Sequence, residues 1–112
     1  MKIKSLVTTV LALLAITWAL AIPAMAAVKL PISTAADKAF IFAKKTCAHD
    51  KNCVRYGVTN CHRQSLHVAL CRIFDERSTE AQGRYDCSRL VRVVLDPVTY
   101  RIVVTGQSPW QC

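Results

Sequence analysis

The sequence lacks the short patterns that announce chemistry. It has no Gly-x-Ser-x-Gly, no His-Glu-x-x-His, no Gly-rich phosphate loop and no Cys-x-x-Cys. It shows no internal repeat and no low-complexity stretch. Acidic residues are few, with 7 Asp+Glu against 15 Lys+Arg and a formal net charge of +8. Cysteine is missing from residues 1–26, and all six cysteines follow.

That cysteine-free start reads as an export signal. Lys2 and Lys4 make a basic opening, and Ser5 to Ile22 form an apolar run. Pro23 then breaks the run ahead of Ala24-Met25-Ala26, a small-x-small site that places cleavage before Ala27. The competing reading is an uncleaved anchor, because the run approaches the ~20 residues a bilayer needs. Pro23 and the Ala-rich exit argue against it. The junction has no cysteine for a lipid anchor, so no stable membrane insertion is expected after cleavage. The short, Lys-led, Ala-rich style is bacterial, which places the mature chain in the periplasm or the medium.

Cys47, Cys53, Cys61, Cys71, Cys87 and Cys112 form an even set in a short exported chain, the signature of a disulfide framework. A domain this small buries only a modest core. Three staples at roughly 2–4 kcal/mol each would rival its whole net stability. Without Lys2 and Lys4 the mature chain carries 13 Lys+Arg against 7 Asp+Glu, a net charge of +6. That excess favours an acidic protein or an anionic envelope component as partner, ahead of nucleic acid, and equally serves plain solubility.

The expected fold is α+β: one N-terminal helix packed on a four-stranded antiparallel sheet, stapled by three disulfides. Residues 27–33 read as a lead-in, loose over Ala27 to Pro31, and residues 34–112 as one domain. Thr34 with Asp37 makes a capping-box-like helix start, and Ala36, Phe40, Ala43 and Cys47 form a stripe at helical spacing up to residue 48. Strands are expected at Tyr56–Arg63, His67–Phe74, Tyr85–Leu95 and Tyr100–Thr105, all rich in β-branched and aromatic residues. Asp96 and Pro97 suit a tight turn.

Apolar pairing predicts Leu95 opposite Tyr100, Val93 opposite Ile102 and Val91 opposite Val104. Placing Cys71 opposite Cys87 also sets Arg72 against Asp86 and Ile73 against Tyr85, while Cys61 faces Cys71. Cys61, Cys71, Cys87, Ile73, Tyr85, Val91, Val93, Leu95, Ile102 and Val104 would then share the helix-side face. Fifteen pairings of six cysteines exist. The opposed positions favour Cys71–Cys87, with Cys47–Cys61 and Cys53–Cys112 completing the set and Cys112 clasping the chain end.

Candidate chemistry is thin. Cys47, His49, Cys53, Cys61 and His62 are close in sequence, but thiols paired in an oxidising compartment do not bind metal, so neither metal nor cofactor is expected. His62 and His67 are the residues to test for an acid–base pair in a small hydrolase acting on a phosphodiester or other anionic polymer. They flank a solvated hairpin tip, which suits surface histidines better. Arg89 is turned by parity toward the helix side, either bonding the last helix carbonyls or binding an anion. The outer face interleaves Val68, Leu70, Phe74, Leu90, Val94 and Val103 with His62, Arg72, Arg92 and Arg101. Such a surface is either an interface or the bed for a tail, Gly106–Cys112, folded back with Trp110.

A helix followed by an antiparallel sheet, with Pro109-Trp110 near the end, resembles cystatin-type inhibitors in topology. Their Gln-x-Val-x-Gly motif is absent, and no residue carries across. The expected role is therefore a non-enzymatic exported binding module using Arg72, Phe74, Leu90, Arg92 and Arg101. The alternatives are the small hydrolase and a secreted protein inhibitor.

Overall fold

A computed structural model of the chain describes residues 28–112. The signal segment expected at residues 1–26 lies outside these. Helix α1 spans Ile32–Ala48, and strands β1 (Cys53–Arg63), β2 (Val68–Thr79), β3 (Gly83–Leu95) and β4 (Ile102–Gly106) follow. The strands form one antiparallel sheet in the order β1-β2-β3-β4, with the helix packed on one face.

The helix starts earlier than expected. Pro31 is its N-cap, at φ −64° and ψ 140°, and its carbonyl accepts from the Ala35 N–H at 3.0 Å. Proline's fixed φ and missing N–H suit a helix start, so Thr34 and Asp37 lie inside the helix rather than forming its cap. The buried stripe is Ala35, Ala39 and Ala43, rotated from the expected Ala36, Phe40, Ala43 and Cys47. Three alanines let the helix lie close to the sheet. Phe40 stays 44% exposed, with its ring 5.2 Å from that of Tyr56. Leu30, placed in the expected loose lead-in, is fully buried. Its N–H donates to Leu66 O at 2.9 Å, and its carbonyl accepts from Arg63 Nη2 at 2.7 Å.

Cys61 faces Cys71 as expected, but the next two registers slip. Cys71 stands opposite Val91 and Asp75 opposite Cys87, while Arg72 meets Leu90, Ile73 meets Arg89, and Tyr85 meets Arg77. The turn explains this. Pairing Thr79 with Gly83 leaves Glu80, Ala81 and Gln82 as the loop, and Gly83 at φ 68° supplies the left-handed residue such a hairpin needs. The register with Cys71 opposite Cys87 would have put no glycine at the turn. At the last hairpin Leu95 pairs with Ile102, Val93 with Val104 and Val91 with Gly106, so Tyr100 belongs to the loop, at φ 58°. Asp96 Oδ1 accepts from the N–H groups of Val98 (2.8 Å) and Thr99 (3.3 Å).

Both slips are even, so every side chain keeps its face. Cys71, Ile73, Cys87, Val91, Val93 and Leu95 are buried on the helix side, and Cys61, Ile102 and Val104 pack partly against them. The disulfides do change. They are Cys47–Cys53, Cys61–Cys71 and Cys87–Cys112, with no free cysteine. The expected Cys71–Cys87, Cys47–Cys61 and Cys53–Cys112 are all absent, because the slip moves Cys87 away from Cys71 and leaves Cys61 as its neighbour. Cys112 is bridged to Cys87 rather than to Cys53.

Candidate interaction surface on the outer sheet face

Alternation along β2 and β3 turns Leu70, Arg72 and Phe74, with Ser88, Leu90 and Arg92, away from the helix. Arg72 stands opposite Leu90, Phe74 opposite Ser88 and Leu70 opposite Arg92, so these six form one contiguous patch. Val94 and Val103 extend it toward β4, and Val103 is 56% exposed. Phe74, Leu70 and Leu90 are half-buried, while Arg92 is exposed.

Phe74 is positioned by a close approach. Its ring lies over Gly57 of β1, where a Cβ would come within 2.7 Å of the ring edge. The Arg55 guanidinium sits 5.7 Å from the ring centroid. Arg72 Nη1 donates to Ser88 Oγ at 3.3 Å. Glu76 pairs with Arg55 at 3.6 Å and with Arg84 at 3.7 Å. These ion pairs are largely solvated and add little stability. Arg55, Thr59, Phe74, Asp86 and Ser88 line a shallow depression of about 360 Å³.

Four of the five expected binding residues, Arg72, Phe74, Leu90 and Arg92, are thus neighbours. Arg101 is exposed at the end of this face, beyond Val103 and away from the other four. Arg92 pairs with Thr105, and Arg101 lies four residues back along the chain from it, roughly 13 Å in an extended strand. Arg55 and Glu76 escaped notice because the expected strands began at Tyr56 and ended at Phe74, whereas β1 begins at Cys53 and β2 runs to Thr79.

The tail does not cover this face. Gln107 N–H donates to Leu90 O at 2.8 Å, and Ser88 and Gln111 exchange two backbone bonds, each 2.8 Å. The segment therefore extends the sheet edge along β3. Trp110 packs on the helix-side core instead, so of the two alternatives for the outer face the folded-back cover is the one the structure does not show. Its ring meets the guanidinium of Arg77 at 5.2 Å and that of Arg89 at 5.5 Å. Arg89 Nε donates to Ser108 O at 3.1 Å. Its role is to hold the tail, and it bonds no helix carbonyl. Arg77 also grips the buried Asp75 through Nε and Nη2 at 3.2 Å, with Asp50 Oδ2 3.5 Å away. Burial alone would lower the Arg77 pKa. The hydrogen bonds to Asp75 and the Asp75 and Asp50 charges outweigh it and hold the pKa above its ordinary value.

The histidines do not converge. His62 is exposed on the outer face opposite Leu70, whereas His67 carries a buried, unpartnered Nε2 at the sheet end beside Leu95. His49 caps the C-terminus of the helix in solvent. Every cysteine is bridged, which leaves no thiolate as ligand or nucleophile. Among the described residues no three His, Cys, Asp or Glu side chains gather as metal ligands. No described helix is long and apolar enough to cross a membrane.

Comparison with known protein families, curated proteins and solved structures finds no match to this chain. The outer face must therefore be read from its own chemistry: apolar side chains for desolvated contact, with guanidinium groups beside them.

Proposed function

We propose that this protein is an exported, non-enzymatic binding module whose outer sheet face docks an acidic protein. One observation carries the reading. The row of Leu70, Phe74, Leu90, Val94 and Val103 has no covering layer among the described residues, because Trp110 and the tail lie elsewhere. A sheet face left to water is ordinarily more polar, and apolar surface rimmed by charge marks interfaces. Arg72 and Arg92 would steer an acidic partner and Phe74 and Leu90 would anchor it, with Arg101 contributing longer-range attraction. The apolar share of the patch favours a protein over a purely anionic polymer. The three disulfides suit an oxidising compartment, and the export signal at residues 1–26, of bacterial style, would deliver the chain to the periplasm or the medium.

A photoreactive side chain at Val103 tests this in cells. It should crosslink an acidic protein, and Arg92→Glu should abolish the adduct in a salt-dependent way while leaving the melting temperature within a few degrees. The same probe at Lys44, on the exposed helix face, should give none. Adducts from Lys44 but not from Val103, or adducts indifferent to Arg92→Glu, would overturn the reading.

A further inference from the structure

The helix side holds a second unpartnered feature, at the opposite layer from the outer face. Helix residues Lys38, Ile41, Phe42 and Lys45 and strand residues Ile102 and Val104 enclose a groove of about 270 Å³ between α1 and β4. The floor is apolar, and Ile41 is 44% exposed above it. Lys38 and Lys45 are seven residues apart, so they stand roughly 10.5 Å apart along the same helix face.

The groove adjoins a sheet edge that is free among the described residues, because β4 ends the strand order. Arg101 O accepts from Asp96 N–H, and Gln107 N–H donates to Leu90 O, so these residues turn their backbone toward β3. Alternation then directs the N–H and C=O groups of Ile102, Val104 and Gly106 outward. The two residues whose side chains line the groove thus also offer backbone groups that are unpaired among the described residues. The other edge is poorly suited to such pairing, since β1 carries two bulges.

We infer that the β4 edge and its groove form a docking site for an extended acidic segment of another protein, which adds as a fifth strand. Backbone bonds to Ile102 and Val104 would hold the segment, and alternate side chains would enter the groove. An apolar residue would meet Ile41 and Phe42, and acidic residues two positions to either side, roughly 13 Å apart in a strand, would reach Lys38 and Lys45. The recognised pattern is acidic–x–apolar–x–acidic. Charge argues against a second copy as occupant. Edge-to-edge pairing about a two-fold axis would place both helices on one face and set the lysines of the two copies against each other. Lysines beside an open edge are a known guard against such self-pairing.

The test uses the chain from residue 27 onward, isotopically labelled, with a capped Thr-Glu-Thr-Leu-Thr-Glu-Thr peptide as probe. Saturable shifts at the Ile102 and Val104 amides are expected, with a dissociation constant of about 0.1–1 mM. Lys38→Glu with Lys45→Glu should weaken binding roughly tenfold or more. A peptide N-methylated at its edge-facing amides should lose binding without any change to the protein. Equal binding by the N-methylated peptide, no saturable shift up to about 2 mM, or self-association through β4 would overturn the inference. Shifts confined to Phe74 and Leu90 would also overturn it, while leaving the outer-face reading standing.

Discussion

Arg89 lies across Gly106. Its guanidinium fills the space where a side chain at position 106 would begin, and from there it reaches Ser108 O and the Trp110 ring. The missing Cβ at Gly106 is what lets an arginine from the middle of β3 cross the last residue of β4 and hold the tail. The tail in turn brings Cys112 to Cys87.

Gly106→Ala should push Arg89 off Trp110 and cost about 1 kcal/mol, the scale of one cation–π contact with its hydrogen bond. Trp110 is the only tryptophan beyond residue 18, so a red-shifted fluorescence spectrum of the chain from residue 27 reports the change directly. Arg89→Ala should do the same, and the double variant should lose no more than either alone. Additive losses would show that the two residues act independently.

Replacing Cys87 and Cys112 together by serine should lower stability by roughly 3–4 kcal/mol, since the bridge spans 25 residues. The melting temperature should fall by well over ten degrees. Digestion without reductant should yield Cys61 linked to Cys71. A Cys71–Cys87 peptide would refute the register between β2 and β3.

The Asp96 turn makes a pH prediction. The N–H groups of Val98 and then Thr99 hold the Asp96 carboxylate pKa below its ordinary value. The folded chain therefore binds this proton less tightly than the unfolded chain, whose carboxylate titrates near 3.9. The turn's contribution should be fully present above about pH 4 and fade as the pH falls through the lower native value. The stability difference between the wild type and Asp96→Ala should shrink over that range in denaturant titrations. A difference that stays constant down to strong acid would mean that Asp96 acts only through its shape.

Much of the architecture was legible in the residues. Period-two apolar patterning set which side chains face the helix, and that assignment survived register slips of two and four residues because both are even. The Cys61–Cys71 neighbours followed from a short hairpin. The helix stripe was misjudged by about one residue, since alanine is so small that Ala36 and Ala35 look alike until something packs on them.

The sequence by itself determined the element types, the two faces of the sheet and the use of every cysteine in a disulfide. All of these follow from local periodicity and composition. Tertiary structure alone decided what those patterns leave degenerate. Gly83, taking the left-handed turn position, chose the β2–β3 register and so moved Cys87 from Cys71 to Asp75. Gly106, by leaving room for Arg89, sent Trp110 to the helix side. Among the described residues the outer face with Phe74, the edge of β4 and the groove beside Lys38 and Lys45 stay uncovered. Pairing and coverage depend on residues far apart in the chain meeting in one geometry, and no local pattern encodes that meeting.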